Sequence, residues 1–208
     1  TKPPTGRFAP RLGQHTREVL AEAGWAVSGL ARRPDGKARG GVTPVAADLL
    51  DAGALRAALQ GVAPSHVFYA SWLRQPTEAE NIRVNAAMVR NLLDALRPAG
   101  SVRHVALVTG LKHYLGSFED YAKVKPYTPF LESSPRLPGL NFYYAQEDVL
   151  FEMAGKRGFT WSVHRPHTMI GFVVGNLMNM AVTLAIYASI CKHTGRPFVF
   201  PGSDVQYH

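Results

Sequence analysis

Cysteine is nearly missing from this chain. Cys191 is the single one in 208 residues, so no disulfide can close within the chain, and a reducing, cytoplasmic setting is the expectation. The opening run, TKPPTGRFAPRLG, has no apolar core and so does not read as a signal peptide. Net charge is +8, carried by 16 Arg against 7 Lys, but no basic run is interleaved with aromatics. Nucleic acid is therefore not the expected partner, and a local phosphate site is. No Cys or carboxylate cluster accompanies His164 and His167, so no tetrahedral metal site is expected. A G-x-S-x-G elbow is also missing, which argues against a hydrolase triad. Charge is absent for 22 residues from Met169 to Ile190, a length that could cross a bilayer. That run holds Gly171, Gly175, Asn176, Asn179, Thr183 and Ser189, so it reads as a strand end, a loop and a core helix, with no membrane span.

What is present is a globular composition, 46% apolar, in which strand-like and helix-like stretches alternate. After an irregular 1–13, a helix is expected over Gln14–Ala23, then strands over 25–30 and 42–47 and a helix over 54–59. A strand over 66–70, a long helix over 78–96 stopped by Pro98 and Gly100, and a buried strand over 105–108 follow. Residues 115–140 hold Pro126, Pro129, Pro135 and Pro138 and read as an excursion loop. A helix from Asn141 to about Gly155, with Val149, Leu150 and Met153 as apolar positions, precedes a strand over 160–164 and a last helix over about 177–190. Crossovers of this length suit parallel pairing, so the fold class is α/β: a Rossmann-like, doubly wound parallel sheet in a single domain.

The chemistry-bearing residues fall at strand ends, where ligands sit in open α/β sheets. Arg32 and Arg33 follow the second strand of the pattern, the position where arginine accommodates a ribose 2′-phosphate. They also read as two solvated arginines. Asp48 follows the next strand, either as an acceptor for adenine or as a helix cap. Ser71 and Trp72 end the strand after that, lining a groove or packing in an ordinary way. The sharpest pair is Lys112, just past Thr109-Gly110, and Tyr143 at the start of a helix. Tyr can donate a proton to a carbonyl or enolate oxygen if a nearby cation lowers its pKa. Ordinary short-chain dehydrogenases use Tyr-x-x-x-Lys, but Tyr143 plus four is Glu147 and Tyr144 plus four is Asp148. Lys112, 31 residues upstream, is the substitute, and the two are expected to meet in one crevice. Otherwise Tyr143 is a half-buried helix aromatic and Lys112 is solvated.

The runs ARRP (31–34), SHVFYASW (65–72), TGLKHYLGSF (109–118), NFYYAQED (141–148), WSVHRPHTMIGF (161–172) and NLMNMAVTLAIYASICKHTG (176–195) come in this order. Together they resemble the progesterone 5β-reductase/iridoid synthase-like family, an atypical branch of the extended short-chain dehydrogenases. The resemblance spans residues 25 to about 203. It implies NADPH-dependent reduction of the C=C bond of a small enone, with Tyr143 and Lys112 stabilising the enolate oxygen. It also implies cofactor contacts at Arg32, Arg33, Asp48, Ser71, Thr109, Met169, Asn176, Leu177 and Met178, with Leu49, Trp72 and Gly110 counted in the same groove. A homodimer is left open.

Two departures stand out. The family's first strand ends in a G-x-x-G-x-x-G turn that lets the backbone approach pyrophosphate. The corresponding positions here are Arg7, Pro10 and Gly13, of which only Gly13 is glycine. The family also continues past Gly202-Ser203 into a C-terminal substrate region, so the chain reads as a fragment. The alternatives are a sugar-nucleotide epimerase or dehydratase and a non-catalytic NAD(P)-binding protein.

Overall fold

The computed structural model describes residues 23–34, 42–117, 127–167 and 180–199. The expected helix over 14–23 and the irregular 1–13 thus lie almost wholly outside the described residues, as do Gly13, Met169, Asn176, Leu177 and Met178. The chain falls into two compact units, one formed by residues 1–45 with 168–202, the other by 46–167 with 203–208.

In the first unit, β1 (Val27–Ala31) pairs with β2 (Val42–Ala46) in a two-stranded sheet. A Cβ at Gly29 would lie 3.0 Å from Val42 Cγ1, a tight approach that glycine relieves. The helix α5 (Met180–Thr194) starts within the long uncharged run; Ile186 and Ile190 on it are exposed, and Cys191 is buried. Among the described residues, no helix is long and apolar enough to cross a membrane.

The second unit carries the larger sheet. Its strands are β3 (His66–Tyr69), β4 (His104–Val108) and β5 (Thr160–His164), in the order β3-β4-β5 and parallel throughout. The register sets His66 beside His104 and His104 beside Thr160, so the carboxyl ends Tyr69, Val108 and His164 lie along one edge. Parallel neighbours need long crossovers. One is α2 (Glu78–Leu96), between β3 and β4; the other, between β4 and β5, carries the short α3 (Lys112–Leu115) and then α4 (Phe142–Arg157). The central strand β4 buries Val105, Ala106 and Leu107 in succession, as expected of a parallel strand covered on both faces. Helices α2 and α4 pack against each other and supply Val89, Leu93, Leu150 and Met153 to that core.

Helix ends follow local chemistry. The helix α1 (Ala52–Ala58) begins two residues earlier than expected because Asp51, not Asp48, is its cap: Asp51 Oδ1 accepts from Gly53 N (3.1 Å) and Ala54 N (2.9 Å). At the start of α2, Thr77 Oγ1 accepts from Glu80 N (3.2 Å) and donates to Glu80 Oε2 (3.1 Å). Helix α4 opens on Asn141, whose Oδ1 accepts from Tyr143 N (3.1 Å), and closes at Gly158 in the left-handed region (φ 74°).

Candidate active site

Lys112 does not emerge straight from the strand. It is the first residue of α3, one turn of helix that sequence periodicity over four residues does not reveal, and it is 5% exposed. A buried ammonium is costly unless paired. The partner is Glu78 at the first turn of α2, with Nζ donating to Oε1 at 2.9 Å, and the Phe142 ring centroid lies 5.0 Å from Nζ. The same Oε1 accepts from Phe142 N at 2.9 Å. Thus Lys112 and the start of α4, which carries Tyr143, converge on one oxygen. Asn141 adds a second tie, its Nδ2 donating to Lys112 O at 3.3 Å. Burial works to raise the Glu78 carboxyl, but hydrogen bonds from Lys112, Phe142 N and Asn81 outweigh it and hold the group below its ordinary value.

The Tyr143 hydroxyl lies against the end of β4. A Cβ added at Gly110 would stand 3.3 Å from Oη, so glycine there permits the close approach. Burial first, and then the Glu78 carboxylate, push this hydroxyl above the usual tyrosine value. This corrects the expectation that a neighbouring cation depresses it: Lys112 is matched by Glu78, and desolvation dominates. Tyr143 is a protonated hydrogen-bond donor at neutral pH.

Tyr144, one position on, is structural. Its hydroxyl accepts from Leu137 N (3.0 Å) and donates to His113 O (3.4 Å). Glu147, where a conventional lysine would stand, is 1% exposed and held by Arg165 Nη2 (3.0 Å) and Arg136 Nη2 (2.9 Å).

Thr109 is buried, and its N–H donates to His164 O at 2.8 Å, joining the ends of β4 and β5. Ser71 is exposed and its carbonyl accepts from Gln146 Nε2 (3.4 Å). Trp72 stacks on Phe142, with centroids 5.4 Å apart and an 18° interplanar angle, so it packs beside the Lys112–Glu78 pair. Leu49 is buried, and its carbonyl accepts from Asn91 Nδ2 (2.9 Å). Asp48 Oδ1 accepts from Leu50 N (2.9 Å), an Asx turn ahead of α1. Arg32 and Arg33 are exposed just past β1 in the first unit. Sequence reasoning missed Glu78. The signal was available, since Glu78, Asn81 and Asn85 recur at spacings of three and four on one face of α2.

A parallel sheet with helical crossovers, with Lys112 and Tyr143 following its carboxyl edge, defines a Rossmann-fold protein. Residues 54–208 match the PRISE-like Rossmann-fold domain, and the chain belongs to that family. It is 44% identical over 183 residues to (S)-8-oxocitronellyl enol synthase of Nepeta racemosa, covering 86% of this chain and 47% of that protein. To 3-oxo-Delta(4,5)-steroid 5-beta-reductase of Arabidopsis thaliana it is 45% identical over 184 residues, again covering 86% and 47%. The chain therefore spans about half the length of these curated relatives. Among solved structures it is similar in fold to UDP-glucose 4-epimerase of Thermus thermophilus in complex with NAD. There the TM-score is 0.65 at 21% identity, covering 91% of this chain and 62% of that one.

Proposed function

We propose that this chain carries the catalytic pair of an NADPH-dependent reductase acting on the C=C bond of a small α,β-unsaturated carbonyl compound in the cytoplasm. The observation that carries the reading is the convergence of Lys112 and the start of α4 on Glu78, with Tyr143 Oη against Gly110 at the end of β4. The names of the two curated relatives support it, one a steroid 5-beta-reductase, the other an enol synthase. NADPH, when bound, would supply the hydride for the β-carbon, and water would supply the proton that turns the resulting enolate into the saturated carbonyl product.

Tyr143 donates its hydroxyl to the substrate oxygen, where negative charge grows as the double bond is reduced. The push that keeps this hydroxyl protonated suits a hydrogen-bond donor rather than a tyrosinate. Lys112 contributes a positive charge fixed by Glu78, which costs no reorganisation when the enolate forms. The donor set fits the phosphorylated cofactor: Arg32 and Arg33 are exposed at a strand end with no acid between them. The epimerase alternative normally uses a lysine four residues after the tyrosine, and Glu147 occupies that place between two arginines.

The test is turnover of a panel of cyclic and linear enones by the purified protein, with products identified by mass. Saturated carbonyl products, with NADPH favoured over NADH by about tenfold or more in kcat/KM, are expected. Allylic alcohols as products, or equal use of NADH, would overturn the reading.

A further inference from the structure

Glu78 transfers neither proton nor hydride, yet its carboxylate holds the Lys112 ammonium and the backbone N–H of Phe142, the residue before Tyr143. It is itself held. Asn81 Nδ2 donates to Glu78 Oε2 (3.0 Å), and Asn81 Oδ1 accepts from Gln75 N (2.7 Å). One turn on, the fully buried Asn85 accepts from Leu73 N (2.8 Å) and donates to Leu73 O (2.9 Å) and Asn81 O (2.9 Å). Three side chains on one face of α2 thus fix the segment leading in from β3 and aim the carboxylate at Lys112 and Phe142. So many satisfied polar groups at one helix end exceed what a cap requires. Thr77 already caps α2, and Asn141 already caps α4.

We infer that Glu78 is a positioning residue: its Oε1 locks the Lys112 ammonium to the first turn of α4, so that Tyr143 Oη is kept against Gly110 as the donor to substrate. The effect of Glu78 on the Tyr143 hydroxyl agrees with this, since the carboxylate helps keep the proton in place. The kinetic part of the inference rests on the enone-reductase reading, and the geometric part does not.

The experiment compares the parent protein with Glu78→Gln and Glu78→Asp. Glutamine preserves shape and one acceptor oxygen but removes the charge; aspartate preserves the charge on a shorter stem. Glu78→Gln should lower kcat about 10- to 100-fold, as a misplaced donor does. KM for NADPH should stay within about twofold, and Glu78→Asp should recover part of the loss. A Glu78 that only stabilises the fold would lower the melting temperature and leave kcat per folded molecule unchanged in both variants, which overturns the inference.

A second readout needs no turnover. Labelling by an amine-reactive reagent, resolved by peptide mass spectrometry, should be slow at Lys112 in the parent and several-fold faster in Glu78→Gln. Lys156, 70% exposed, serves as the internal reference. Unchanged labelling of Lys112 overturns the clamp whether or not the parent turns over. Faster labelling in a variant of a parent that reduces no enone supports the clamp while refuting the enone-reductase reading.

Discussion

Two carboxylates meet cations along α4, one at its first turn and one a turn further on. Glu78 gives a single oxygen to both the Lys112 ammonium and the Phe142 N–H, and its side chain is 26% exposed. Glu147 gives each oxygen to a different guanidinium, and its side chain is 2% exposed. The closed arrangement pairs both carboxylate oxygens with guanidiniums. Its return is fold integrity: Arg136 also reaches Asp148 at 2.7 Å and lies over the Tyr144 ring, 4.7 Å from its centroid, tying the proline-rich loop to the helix. The open arrangement has one cation, one carboxylate and a protonated tyrosine nearby. The first turn of α4 thus holds the candidate site, while the second ties the helix to the proline-rich loop through Arg136.

The strongest way to break this contrast is Tyr143→Phe. Removing the hydroxyl at nearly constant shape should lower kcat about 100-fold, equivalent to about 2.7 kcal/mol of transition-state stabilisation. The denaturation midpoint should barely move. A variant reducing enones as fast as its parent would remove Tyr143 from the mechanism.

Glu147→Ala should show the converse. It leaves two guanidiniums without their shared carboxylate and should cost about 2 kcal/mol in chemical denaturation. That is less than a fully buried pair would lose, because Arg136 is 36% exposed and can turn to solvent. Rate per folded molecule should stay within about twofold. An unchanged denaturation midpoint would contradict the structural role.

The smallest effect concerns His113, beside the Glu147 cluster. Burial, with Arg165 and Arg136 adding to it, holds its imidazole below the ordinary 6.5, against the opposing pull of the Ser134 carbonyl and Glu147. As pH falls, the unfolded chain takes up this proton before the folded one. The stabilisation is therefore fully present above about 6.5 and is lost as pH drops through the lower folded value. Denaturation of the parent and of His113→Gln between about pH 7 and about pH 5 should show a steeper decline for the parent. Parallel curves would exclude His113 as the source.

Much of the fold was legible because its elements carry their own punctuation. Expectation and structure agree on Glu78–Leu96 and Thr160–His164, bounded respectively by Thr77 and Pro98 and by Gly158 and Pro166. The short α3 was not legible, since four residues carry no periodicity. In the candidate site, strand ends and the lack of Tyr-x-x-x-Lys singled out Lys112 and Tyr143, and the structure brings Lys112 and the start of the Tyr143 helix to one carboxylate. The sign of the influence on Tyr143 could not. It depends on desolvation and on a carboxylate 65 positions upstream, and both arise only from packing. Asp48 shows the same limit. Whether it serves a cofactor or a turn cannot be read from its neighbours in sequence, and its carboxylate accepts from Leu50 N.

Glu147 also bears on what a conventional lysine would meet in this chain. Restoring Tyr-x-x-x-Lys looks like one substitution, Glu147→Lys. In this chain it would set a third cation between Arg136 and Arg165 in a site nearly closed to water, so the intermediate would lose stability before gaining any new dyad. A Glu147→Lys protein as stable as its parent would contradict this. One substitution toward Tyr-x-x-x-Lys is therefore expected to cost this chain stability for as long as both arginines remain in place.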